Sequence, residues 1–282
     1  MNNTSFKEVK VKCIEGRFFP YDNWRDKIFV PPSIFLIWIF VRLKWSGNSV
    51  SYLSGFFAII GGILLATQNK TLIFIGSFGY AIYYLLDYVD GGVSRFNKSS
   101  GISGQYIDWL MHSVSSIAIF SGIFYGALSN HTIWLVPFGI LTLIACSLNL
   151  DKHSFAWFSI CMYYQQECVK EIPVIPVPII ENNLKKKPNF VFKLVTLISN
   201  FFFHENYAIF LIPIFAFINI FITDSNINFR VLFLLIGGVF FFPNVLIDIW
   251  RLSKNKSIEK RYNELFIENK IPILPEEHFF IN

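Results

Sequence analysis

Long apolar runs constrain this chain more than any other feature. Six stand out: Tyr52 to Ala66, Leu72 to Leu86, Trp109 to Leu128, Ile133 to Leu150, Tyr207 to Thr223 and Phe229 to Trp250. Runs of this kind fold as membrane helices, and those shorter than the roughly 20 residues that span a bilayer core are expected to continue beyond the lipid. With 54% hydrophobic and only 15% charged residues, the composition excludes an ordinary soluble domain. The expected fold is therefore an all-α integral membrane protein with six transmembrane helices in residues 47–252. A cytoplasmic N-terminal segment, 1–46, precedes them, and a cytoplasmic tail, 253–282, follows. Within the first segment, Val30 to Lys44 reads as an in-plane interfacial helix, with Pro31 and Pro32 in its first turn and Trp38 and basic residues at its edges. The first 27 residues lack the basic start and short apolar core of a signal peptide.

Charge placement sets the expected orientation. With both termini cytoplasmic, all of the 24 Lys and Arg residues except Lys70 and Arg230 fall on the inner side. The net charge of +5 reflects this bias and an attraction to anionic lipid. Nucleic acid is excluded as a partner, because the basic residues flank apolar spans instead of lining a stacking groove.

One stretch interrupts the apolar pattern with chemistry. From Asp87 the sequence reads D-x-x-D-G-x-x-S-R, then eight residues, then G-x-x-x-D-x-x-x-H ending at His112. Asp87 and Asp90 are three apart, and Asp108 and His112 four apart, so on helices each pair shares a face. Carboxylates in a membrane segment are costly unless they pair, bind cations or line a watery site, so three of them across a turn call for metal. Oxygen ligands of this kind suit Mg²⁺ or Mn²⁺, which also hold substrate phosphates. Gly91 leaves room for a ligand to approach the backbone, and Arg95 offers a fixed cationic fork.

These residues resemble the signature of the CDP-alcohol phosphotransferases, D-x-x-D-G-x-x-A-R, eight residues, G-x-x-x-D-x-x-x-D. Asp87, Asp90, Gly91, Arg95, Gly104 and Asp108 stand at the signature positions, Ser94 replaces Ala, and His112 replaces the fourth acid. The entry Gly47-Asn48-Ser49-Val50-Ser51 is similar to the family's P-N-x-V-T, with Gly for Pro and Ser for Thr. The resemblance implies that Asp87, Asp90 and Asp108 hold one or two Mg²⁺ or Mn²⁺ ions and that Gly91 and Gly104 make room for the nucleotide. It further implies that Arg95 or Ser94 contacts the nucleotide, with Asn48 a candidate for the pocket rim. A CDP-alcohol would be the donor, a hydroxyl the acceptor and CMP the leaving group. His112 then takes the place of the general base, beside Asp108. Imidazole is competent in that role, although it softens the ligand set and weakens Mg²⁺ relative to Mn²⁺. The resemblance also implies a homodimer and an active site on the cytoplasmic side.

Two other classes compete with that reading. A catalytically inactive relative serving as a membrane scaffold would explain His112. A cation transporter would explain acids in the membrane, but no repeated pair of broken spans accompanies them. Elsewhere the sequence carries little chemistry. Ser51 reads as a helix cap. The glycines of the first two spans read as close-packing positions. Cys13, Cys146, Cys161 and Cys168 lack metal-site spacing.

Overall fold

The computed structural model describes residues 5–15, 24–99, 101–128, 133–149, 190–203, 205–221, 228–254 and 258–260. The region 150–189, with its prolines, lysine run, His153, Cys161 and Cys168, lies outside the described residues, as do His131, His204, His278 and most of the tail. The described residues contain helices and no strands.

Two helices precede the long spans: α1 (Phe6–Glu15) and α2 (Trp24–Arg42). The next three are α3 (Gly47–Leu65), α4 (Lys70–Phe96) and α5 (Ile102–Leu128). A shorter apolar helix, α6 (Ile133–Asn149), follows. Then come α7 (Phe190–Phe203), α8 (Glu205–Phe221) and α9 (Phe229–Lys254). Four of these, α3, α4, α5 and α9, are long and apolar enough to cross a membrane, and a fifth span arises if α7 and α8, bent by 72° to each other, count as one. Of the two remaining runs expected to span, Ile133 to Leu150 forms a helix in the 10–17-residue class and Tyr207 to Thr223 supplies the second arm of the bent pair. Phe56, Ile59 and Ile63 on α3 and Ile75, Phe78 and Ile82 on α4 recur at helical spacing and are exposed, an outer surface suited to lipid.

The helix α2 starts earlier than the prolines suggested. Trp24 is its first residue, which leaves Pro31 and Pro32 inside the helix and on its exposed side. Its buried stripe, Asp26, Phe29, Val30, Ser33, Ile34, Ile37 and Val41, packs against neighbouring helices and carries the element through the missing N–H groups. A polar contact fastens this stripe to α4, where the Tyr88 hydroxyl donates to the Asp26 carboxylate. At the same end, α1 buries Val9 and Cys13, and the Cys13 thiol lies 3.5 Å from the Gly92 carbonyl.

The helix α3 is the axis of the bundle. Both α4 and α5 run along it and touch each other much less. Small residues make this possible. A Cβ on Gly61 would lie 2.8 Å from both the Gly76 carbonyl and the Gly79 Cα on α4. On the adjoining face, a Cβ on Gly62 would lie 2.2 Å from the Ala118 carbonyl of α5, and one on Gly122 would lie 2.1 Å from the Gly62 carbonyl. Consecutive α3 residues thus seat two different helices at backbone contact.

At the end of the bundle where α4 begins, Arg230 is only 2% exposed. Its Nη1 donates to the carbonyls of Leu65 (3.0 Å) and Thr67 (2.7 Å), its Nη2 to Gln68 Oε1 (3.0 Å) and its Nε to Asn228 Oδ1 (3.1 Å). A cation there satisfies orphan carbonyls at the C-terminus of α3 and complements its dipole. In α9 a π-turn, Gly237–Phe241, falls just before Pro243, where an extra residue per turn relieves the lost proline donor.

Replacing Gly122 with Ala should separate α3 from α5. The expected cost is about 1–3 kcal/mol or more, as for overpacking of a filled core. A lowered midpoint in thermal unfolding of the detergent-solubilised protein would show it. Gly101→Ala, where an added Cβ meets nothing within 4 Å, should leave that midpoint unchanged.

Candidate functional site

The acid-bearing ends of α4 and α5 converge beside the start of α3. At about 1.5 Å per residue, Asp87 and Asp90 lie about 25–30 Å along α4 from Lys70, and Asp108 and His112 about 9–15 Å from the start of α5. All four therefore sit toward one edge of the apolar slab, at the end opposite Lys70 and Arg230. The helix α4 runs unbroken through Gly91 and Gly92 to Phe96, so the turn toward α5 starts only at Asn97. It is pinned by Asn97, whose Nδ2 donates to the Trp45 carbonyl (3.2 Å) just past the end of α2.

The structure divides the signature residues between two adjoining groups. In the first, Asp87, Asp108 and His112 each offer a ligand atom, all within 4.8 Å of one another. His112 Nε2 is 3.3 Å from Asp87 Oδ1 and 3.6 Å from Asp108 Oδ1. All three side chains are part-buried. The other ring nitrogen, Nδ1, is hydrogen-bonded to the Tyr83 hydroxyl. In the second group, Asp90 is buried, and its Oδ2 accepts from Ser51 Oγ at 2.5 Å. Ser51 is thus no cap. The N-cap of α3 is Ser46, whose Oγ accepts from the Ser49 amide at 3.1 Å, because the helix begins at Gly47 and leaves Ser51 a full turn inside.

A cavity of 510 Å³ opens beside these groups. Asp90 and Asp108 line it, together with Asn48, Gly91, Ser94, Arg95 and Gly104, so every residue expected to meet the nucleotide faces one space. Ser51, Gly101 and Gln105 complete the wall. The volume falls within the few hundred Å³ usual for small-molecule sites. Its two signature glycines differ from those that pack helices. A Cβ on Gly104 would meet only Asn48 Oδ1, at 3.5 Å, and one on Gly91 only the Arg95 guanidinium, at 3.1 Å. Neither position is required to be glycine by backbone contact, and the room they leave belongs to the cavity.

The donor set fits a divalent ion. The imidazole nitrogen lies 3.3 and 3.6 Å from the two carboxylate oxygens, near the roughly 3 Å between adjacent ligands of a six-coordinate ion with bonds of about 2.1 Å, and all three atoms fall within 4.8 Å of one another. Asp90 stands apart from that triad, one turn along the same helix and held by Ser51.

Sequence reasoning missed Tyr83 and Ser51 as members of the site. For Tyr83 the signal was present: it lies four residues before Asp87, one helical turn along the same face. Ser51 gave none, since its partner is on another helix. No protein-family model and no curated protein matches the chain.

Gly104→Ala separates site from scaffold. Helix propensity favours Ala by about 0.5–1 kcal/mol, and the added methyl group enters the cavity without a backbone clash, so thermal stability should hold or rise, while the nucleotide that the resemblance implies for this cavity should bind less tightly. Unfolding midpoints and CDP-analogue titrations on one preparation would check both halves.

Proposed function

We propose that this chain is a metal-dependent CDP-alcohol phosphotransferase, moving a substituted phosphoryl group from a CDP-alcohol to an acceptor hydroxyl and releasing CMP. The observation that carries the reading is that Asp90 and Asp108 line one cavity with Arg95, Ser94, Asn48, Gly91 and Gly104, while Asp108 also groups with Asp87 and His112. Phospholipid synthesis is the natural setting for such an activity in a membrane protein. We read the chain further as a homodimer with six passes, α6 and the α7–α8 region supplying the two beyond the long helices, and with the cavity and both termini on the cytoplasmic side. Lys70 and Arg230, at the far end from the acids, support that orientation.

Asp87 and Asp108, with His112 or Asp90 alongside, would hold Mg²⁺ or Mn²⁺. A bound dication neutralises charge that builds on the phosphoryl oxygens during attack. The protein's own groups supply the rest. Arg95 faces the cavity as a planar cation suited to a pyrophosphate oxygen pair. Gly91 and Gly104 let the nucleotide approach the helix backbones. Ser51 fixes one oxygen of Asp90 and so directs the other. The acceptor hydroxyl loses its proton at the cluster, where Asp108 and His112 provide the basic atoms.

CMP release by the purified protein, offered a panel of CDP-alcohols with Mg²⁺ or Mn²⁺, is the direct test. Wild type should release CMP from at least one donor, with Asp90→Asn and His112→Ala each slower by roughly 10²-fold or more. Release surviving in Asp90→Asn would remove that acid from the essential set. No release from any donor would overturn the reading in favour of an inactive relative.

A further inference from the structure

The imidazole of His112 is held at both nitrogens, and by different kinds of partner. Nδ1 meets the hydroxyl of Tyr83, and Nε2 faces carboxylate oxygens from two helices at 3.3 and 3.6 Å. Tyr83 is only 2% exposed, its ring stacks on Tyr80 at 5.9 Å, and it meets the His112 ring edge-on at 5.7 Å. A buried, doubly packed tyrosine is a rigid anchor, so the ring orientation is set before any ligand arrives. With Nδ1–H donating to the Tyr83 oxygen, Nε2 is left unprotonated and aimed between the carboxylates, the arrangement of a metal-binding histidine whose second nitrogen is held by a fixed hydrogen bond.

From these contacts we infer that His112 is itself a metal ligand through Nε2, with Tyr83 its positioning residue, and that the site consequently favours a Mn²⁺-class ion over Mg²⁺. The inference rests on the metal-dependent phosphotransferase reading and refines it, because it moves His112 from the proton-accepting role that its position in the signature suggested. A nitrogen committed to the ion is not free to take a proton, which leaves that step to a carboxylate of the cluster. The preference follows from ligand chemistry. Mg²⁺ is selected by oxygen donors, whereas exchange of a carboxylate for neutral imidazole removes a negative charge and introduces a donor that suits transition metals.

Mn²⁺ itself is the probe, bound to the full-length protein in detergent and followed by electron paramagnetic resonance. Wild type should bind Mn²⁺, resist displacement by Mg²⁺ and show hyperfine coupling to a directly bound ¹⁴N. His112→Ala and His112→Asp should lose that coupling, and His112→Asp, with an all-oxygen set, should let Mg²⁺ compete more effectively. Tyr83→Phe keeps the ring and removes the hydroxyl, and it should weaken Mn²⁺ by roughly 10–100-fold. Bound Mn²⁺ without nitrogen coupling, coupling that persists in His112→Ala, or a wild type that binds no Mn²⁺ would overturn the ligand assignment. Unchanged affinity and coupling in Tyr83→Phe would overturn the positioning role. Failure of the parent reading looks different: nitrogen-ligated Mn²⁺ with no CMP from any donor would leave the metal centre and remove the phosphotransferase.

Discussion

Everything at the site depends on two helices reaching α3 at backbone contact. The acids belong to α4 and α5, which touch each other little, so their meeting is a consequence of each being seated independently. Gly61 faces Gly76 and Gly79 of α4, while the next residue, Gly62, faces Ala118 and Gly122 of α5. Lipid supplies no hydrophobic drive to press helices together, so close approach and the dispersion it permits must do that work. Nearer the site the same axis continues through Gly55, where a Cβ would lie 2.6 Å from Met111 Sδ, and through Ser51, which reaches Asp90. Along α3, then, small residues first set the spacing and a hydroxyl finally sets the orientation of a carboxylate.

The two ends of the bundle solve the problem of burying charge in opposite ways. Arg230 at one end spends its donors on helix-terminal carbonyls, Gln68 and Asn228, a neutral oxygen cage that closes the loop between α3 and α4. The Gln68 amide then reaches the Gly126 carbonyl of α5, and the Arg230 guanidinium passes over Gly126, where a Cβ would lie only 2.1 Å from Nη1. All those lone pairs are internal to the protein, and a buried cation so caged ties three spans together. At the other end Asp90 and Asp108 border a cavity instead, and Asp87, Asp108 and His112 keep partial exposure. Charge that has been closed over is scaffold; charge left facing an open space is available for chemistry.

That distinction marks how far the sequence was legible. The membrane class, the long helices and the face shared by each signature pair follow from period and spacing, which are local properties. All five residues expected to meet the nucleotide do line one cavity, and the packing reading of Gly61, Gly62, Gly76 and Gly79 agrees with their backbone contacts. Two readings failed where a distant partner decided the outcome, and a third run forms a shorter helix than expected. Pro31 and Pro32 suggested a helix start, but a buried stripe beginning at Asp26 extends α2 past them. Ser51 resembled a cap until α4 supplied Asp90. The run Ile133 to Leu150 suggested a full span, yet its helix is short and packs on α9, where Thr142 fills the space that Gly237 leaves open and approaches the Leu234 carbonyl at 3.3 Å.

The two departures from the signature that look conservative in sequence turn out to be one change in space. Gly47 stands where the resembled signature has Pro, and Ser94 where it has Ala, 47 residues apart. A Cβ on Gly47 would lie 2.9 Å from the Asp90 carbonyl as well as 1.8 Å from Ser94 Oγ, so glycine there lets the start of α3 approach the backbone of α4. Proline is otherwise well suited to the first turn of a helix, where its missing N–H costs nothing, and glycine gives up that preorganisation. Together the two positions put no side chain at the start of α3 and a hydroxyl on α4, at the wall of the cavity that Ser94 lines. His112, where the resembled signature has an acid, sits in the cluster with Asp87 and Asp108, and Ser94 sets a hydroxyl on the wall of the cavity, so these departures from the signature fall on side chains that line open space or group with the acids, and the scaffold contacts of α3 are untouched by them.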